Sequence, residues 1–183
     1  AQAAYAISYS QLFSFVTWTA VGLLGAAATT AGQNLGAGKP ERVVQAVRTA
    51  SRFGLMLAAA LGLLFVLIPR QLLAIFGMNE PVVVELGVQL LRVLSLSGLF
   101  VVVALAYTGG LQGTGDTRSP MYISIVSQVI VPLGTCFILQ QANALDPIDI
   151  WLAILAGHVT RCVLSVVRFN QGRWRDIEVG IGR

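Results

Sequence analysis

Apolar runs of about twenty residues or more alternate along this chain with short polar connections rich in glycine and proline. From Ala1 to Ala31 there is no Asp, Glu, Lys or Arg. A helix rises about 1.5 Å per residue, so about twenty such residues cross a hydrocarbon core of roughly 30 Å. The pattern predicts an all-α polytopic transmembrane bundle. Five spans are placed, at about 3–31, 43–68, 82–107, 120–140 and 147–169, followed by a polar tail at 170–183.

The ends of these runs carry helix punctuation. Pro40 stands near the start of the second span and Pro69 at its end, where a missing N–H is harmless or terminating. Asn79 and Pro81 read as cap and first-turn residue of the third span, Ser119 as the cap of the fourth, and Asp146 as the cap of the fifth. Pro132 falls inside the fourth span and predicts a kink near Gln128 unless a neighbour compensates.

Composition supports the membrane reading: 56% of residues are hydrophobic, 11% are charged, and the mean hydropathy is +0.77. A soluble domain is about a quarter charged. The net charge of +4 would suggest nucleic acid in a soluble protein. Here the basic residues flank apolar spans, so they report orientation, and no nucleic-acid partner is expected. Lys39, Arg42, Arg48, Arg52, Arg118, Arg168, Arg173, Arg175 and Arg183 fall on one side, whereas the other has Arg70 with Asp146 and Asp149. The positive-inside rule makes the first and third connections and the C-terminus cytoplasmic and starts the chain outside, which predicts at least one preceding helix. Trp151 and Trp174 lie where interfacial aromatics would, and Trp18 lies deep in the first span. Cys136 and Cys162 sit inside apolar spans without metal-ligand spacing and read as packed thiols.

Two glycine-rich stretches share one design. GQNLGAGKPER at 32–42 and GGLQGTGDTRSP at 109–120 each follow a long apolar run and end in a proline that opens the next helix. They read as tight cytoplasmic turns, with Gly32, Gln33, Asn34, Gly36 and Gly38 in the first, and Gly113, Gly115, Asp116 and Pro120 in the second. Asp116 and Arg118 are close enough for a local salt bridge or a capping role. Neither stretch follows a strand or carries the Lys-Ser/Thr pair of a phosphate loop, which excludes that reading. Upstream, Gly22, Gly25, Ala26, Ala27 and Ala28 would allow close approach of a neighbouring helix.

AAYAISY, VGLLGAAATTAGQNLGAGKPER, YTGGLQGTGDTRSPM and RFNQGRW, in that order, resemble the C-terminal half of a MATE-family multidrug and toxin extrusion transporter. The resemblance covers essentially the whole chain and implies that its five spans are helices eight to twelve of a twelve-helix, two-lobe protein. It implies export of small organic cations in exchange for Na⁺ or H⁺, a multi-pass location in the inner membrane, and the N-terminal lobe as partner beside the lipid bilayer. No cofactor is expected. Some Na⁺-coupled members carry a carboxylate in the tenth helix, where this chain has only apolar residues around Phe100 to Ala104. The coupling ion is therefore expected to bind mainly outside this chain.

Intramembrane polar residues are expensive and are the candidates for function. Glu85, Gln89 and Arg92 form a stripe on the third span, either lining an outward vestibule or snorkelling to the headgroups, the latter favoured. His158 and Arg161 share a face of the last span, for which a structural hydrogen bond to His158 is favoured over a proton relay. Gln11, Thr17, Thr19 and Gln128 are uncharged candidates to face a cavity. One histidine and no nucleophile beside a base argue against an enzyme. The rivals to an antiporter are a flippase for lipid-linked or oligosaccharide substrates and a non-transporting membrane scaffold.

Overall fold

The computed structural model describes residues 2–141 and 146–177, and the expectations for 178–183, Arg183 among them, lie outside the described residues. The chain is helical from the start: α1 (Gln2–Tyr5) runs into a π-helical segment (Ala6–Leu12) and then α2 (Ser14–Gly36). There follow α3 (Pro40–Leu67), the short α4 (Pro69–Ile75), α5 (Pro81–Gly113), and α6 (Arg118–Ile125), which passes through a second π-helical segment (Val126–Ile130) into α7 (Val131–Gln141). The last elements are α8 (Pro147–Asn170) and one 3₁₀ turn (Arg173–Asp176). Five of these helical stretches are long and apolar enough to cross a membrane, in agreement with the pattern of the chain.

The helix α5 is the axle. It packs against α2, α3 and α8, and α6–α7 packs on the far side of α8. The three helices α2, α5 and α8 run parallel, because Gly98 of α5 meets Phe13 and Val16 while Gly109 and Gly113 meet Leu24 and Ala28 in the same order. Thr108 similarly meets Ser165, and Asp116 meets Arg168. One large core gathers Phe13, Leu73, Leu90, Leu91, Leu94, Val102 and Trp151. A smaller one gathers Ala31, Val43, Val47, Leu111, Phe169 and Trp174 beside the turns that follow α2 and α5. We call that end of the bundle the turn end.

Several local expectations change. Glu80, not Asn79, precedes α5, and makes no side-chain cap. Ser119 lies inside α6, and Asp116 does the capping, accepting a hydrogen bond from the Ser119 N–H at 3.1 Å. Asp146 caps α8 as expected, in a reciprocal box with Asp149. Pro69 both closes α3 and opens α4, a use of one proline that a single terminator does not suggest. The strain of Pro132 is taken up by the π segment just before it, and Gly157 of α8 leaves room for the proline ring. Trp151 and Trp174 are buried rather than interfacial, at 3% and 1% exposure, while Trp18 is 73% exposed.

Candidate functional site

The glycine stretches are mostly helix, not turn. Gly32, Gln33, Asn34 and Gly36 belong to α2, and Gly113 belongs to α5, so each connection is only a few residues long. The Asn34 side chain donates to the Thr30 carbonyl at 2.8 Å within its own helix, and the Gln33 carbonyl accepts from Ala37. Close approach explains the helical glycines. A Cβ on Gly32 would stand 2.9 Å from the Gly113 carbonyl oxygen, and one on Gly109 or Gly113 would collide with the carbonyl of Leu24 or Ala28. The chain reverses at Gly38 and Gly115, whose φ values of 68° and 93° suit glycine. Gly22 and Gly25, expected at an interface, have no neighbour within 4 Å of a built Cβ, and of the small residues around them Ala20, Ala27 and Ala31 are buried.

A second tie closes the turn end. Asp116 pairs with Arg168, 52 residues away, and not with the exposed Arg118. Arg168 donates through Nε at 2.9 Å and Nη2 at 2.8 Å to one carboxylate oxygen, and through Nη1 at 3.3 Å to Gln171. Burial alone, the largest single influence, would raise the pKa of Asp116. The hydrogen bonds from Ser119 and the Arg168 guanidinium together outweigh it and hold the carboxyl below its ordinary 3.8. Pro120 is buried at the same place. After α8 the chain folds back, and Trp174 stacks on Phe169 at 5.2 Å and donates its indole N–H to the Phe169 carbonyl at 2.8 Å.

The polar candidates within the spans are not gathered into one site. At the opposite end, Arg70 and Glu85 pair loosely at 3.8 Å in an open cleft of about 360 Å³ that Arg92 also lines; half-buried Gln89 does not line it. His158 is buried with Phe13 beside it, ring centroids 6.1 Å apart. Neither of its nitrogens has a hydrogen-bond partner among the described residues, so the structural hydrogen bond expected for it is not made. The facing side chain is a phenyl ring, which offers no strong acceptor. Arg161 Nε, one turn on, is likewise buried and unpartnered among the described residues. Thr17 turns its hydroxyl to the Phe13 carbonyl at 3.3 Å, and Thr19 does the same to Phe15 at 2.7 Å. Gln128 is exposed on the π segment.

Two features were missed in the linear reading. Gln11, Phe15, Trp18, Gly22, Gly25 and Thr29 are all exposed and recur at helical spacing, which makes one free face of the first span. Beside it, α2 and α3 enclose an open groove of about 650 Å³ lined by Thr30, Asn34, Arg42, Gln45 and Thr49 near the turn end and by Leu23, Ala26 and Phe53 farther along. The spacing of 42, 45 and 49 was the available signal for it. Among the described residues there is no cluster of three or more His, Cys, Asp or Glu able to hold a metal.

The family model MatE matches residues 1–138. The chain belongs to the MatE family. This MatE chain is 32% identical over 180 residues to the "Probable multidrug resistance protein NorM" of Brucella suis biovar 1, a match covering 93% of this chain and 37% of that protein. It is 26% identical over 155 residues to the protein of the same description from Thermotoga maritima, covering 85% and 33%. Its fold is like that of the crystal structure of the eukaryotic MATE transporter AtDTX14, with a TM-score of 0.81, 22% identity, and coverage of 94% of this chain and 38% of that one. The MatE chain thus spans a little over a third, or about a third, of the length of these relatives.

Proposed function

We propose that this chain forms most of one lobe of a secondary antiporter that exports small organic cations in exchange for Na⁺ or H⁺. The relatives' descriptions as multidrug resistance proteins support the class of activity. The observation that carries the substrate reading is the free face of α2 and the π segment before it. Phe15 and Trp18 are 60% and 73% exposed there, with Gln11 and Thr29 at its two ends and Gly22 and Gly25 leaving room between. Exposed aromatic faces attract organic cations without a carboxylate, through the ring quadrupole and by covering apolar surface. Among the described residues no acid lies on this face, and in this reading acidic groups of the N-terminal lobe take the coupling ion while that lobe supplies the other wall of the cavity. With such a lobe present, alternating exposure of a shared site by rocking of two lobes is the general physics of this class of carrier.

The test is efflux of a fluorescent organic cation from vesicles holding the full-length protein, with an imposed Na⁺ gradient compared with an imposed pH gradient. Efflux driven by one gradient, and reduced about ten-fold in Trp18→Ala by loss of one well-placed cation–π contact, is the expected result. Unchanged efflux in the Phe15→Ala, Trp18→Ala double variant would show that the face meets lipid instead.

A further inference from the structure

The groove between α2 and α3 is graded along its length. The two helices are antiparallel and joined by a short reversal, so residues equidistant from it face one another: Asn34 lies across from Arg42, Thr30 from Ala46, Ala27 from Thr49, and Leu23 from Phe53. At about 1.5 Å per residue the polar stretch begins about 6 Å from Gly38 and the apolar stretch ends about 22 Å from it. Half a hydrocarbon core is about 15 Å. The groove is thus about 16 Å long, close to that half-core alone, which is room for a headgroup phosphate and the first part of one acyl chain.

Its charge has one sign. Among the described residues Arg42 is the only charged side chain lining it, it is exposed, and it has no salt bridge. Gln45 and Thr49 have no side-chain hydrogen bond among the described residues and offer further donors. The end of α2 and the start of α3 present opposite backbone dipoles side by side, so they largely cancel and the guanidinium sets the potential. Such a groove repels an organic cation. A free phosphate would use only its upper half and leave Leu23, Ala26 and Phe53 uncovered.

We propose that this groove seats a phospholipid with an anionic headgroup, its phosphate at Arg42 and Gln45 and the first part of one acyl chain against Leu23, Ala26 and Phe53. Lys39 just before α3 and Arg48 and Arg52 on it, exposed outside the groove, outnumber Glu41 at the same end and leave a net basic rim that concentrates anionic lipid. The seat does not depend on what the protein exports, so it stands or falls separately from the antiporter reading.

Native mass spectrometry of the full-length protein released from micelles, titrated with phosphatidylglycerol or phosphatidylcholine, tests it. Wild type is expected to retain phosphatidylglycerol preferentially, and Arg42→Gln to lose about five-fold of that preference, the effect of one basic residue at an anionic surface. Ala46→Trp, which fills the groove while keeping the charge, should abolish the bound lipid, and both variants should melt and elute as wild type does. Competition by millimolar inorganic phosphate would instead identify a free-anion site and overturn the lipid assignment. Equal retention in Arg42→Gln and wild type would overturn it too. So would an equal loss in Arg48→Gln, which would mark a diffuse basic surface, or protection of an Arg42→Cys thiol from reagent in lipid-free protein, which would mean that another part of the protein covers the groove.

Discussion

Among the described residues each end of the bundle carries one ion pair, and the two are built differently. At the turn end, Asp116 and Arg168 meet at 2.8 Å with side-chain exposures of 6% and 24%, and the same carboxylate caps α6. At the opposite end, Arg70 and Glu85 stand 3.8 Å apart with exposures of 74% and 56%. The first pair joins α8 to the α5–α6 connection, beside helices whose backbones touch at Gly32 and Gly113. The second joins two helices through solvent-facing side chains that lose as much freedom as they gain in attraction. The turn end is tied by an ion pair shielded from water, and the opposite end relies on the packing of its larger core rather than on its ion pair.

The sharpest way to break the contrast is at the glycine crossing. Gly113→Leu places a side chain against the Ala28 carbonyl, which belongs to a backbone that cannot step aside, and should cost at least the upper part of the roughly 1–3 kcal/mol range for overpacking. Loss of the monodisperse peak in fluorescence-detected size exclusion is the expected outcome; a wild-type elution profile and melting temperature would mean that the crossing is looser than described. Next comes Asp116→Asn, which keeps the shape but removes the charge facing Arg168, and should cost about 2 kcal/mol at neutral pH, the scale of a hydrogen bond to a charged group. Because the folded-state pKa of Asp116 lies below its ordinary 3.8, this stabilisation is fully present above that value and is lost as pH falls through the folded pKa. Thermal melts of wild type and Asp116→Asn should therefore differ by a constant amount from pH 5 to 7 and converge below about pH 4. The smallest effect belongs to Glu85→Gln, at most about 0.5 kcal/mol and reduced further by salt. A loss as large as that of Asp116→Asn would erase the distinction between the ends.

Much of this architecture was legible in the chain. The five spans follow from the length of the apolar runs, Gly38 and Gly115 do reverse the chain, and the Asp146 cap is visible three residues before Asp149. What was misread shares one cause: the deciding partner lies far away in sequence. Gly32 and Gly113 look like turn punctuation because their neighbours are polar, yet Gly32 is required by the Gly113 carbonyl and Gly113 by that of Ala28, each partner more than eighty residues off. Asp116 has Arg118 two residues away, but Arg168 reaches it from another helix. Trp174 has the position of an interfacial aromatic, yet the chain folds back and buries it against Phe169. The candidate site was harder still. His158 stood out as a histidine inside an apolar span, but whether it finds a partner is a property of neighbours that no periodicity reveals.

The two π-helical segments bear on how the bundle's surfaces are indexed. A π turn takes in one residue more than the regular helix around it, so Ala6–Leu12 and Val126–Ile130 each put the stretches on their two sides out of phase by about 100°. Ser127 is buried against α8 while Gln128 beside it faces out, and a one-residue deletion in that segment would trade such neighbours along the remainder of the helix. Each segment is thus a vernier set into an otherwise uniform rod: small in length, it decides which residues of the far half meet protein and which meet the bilayer.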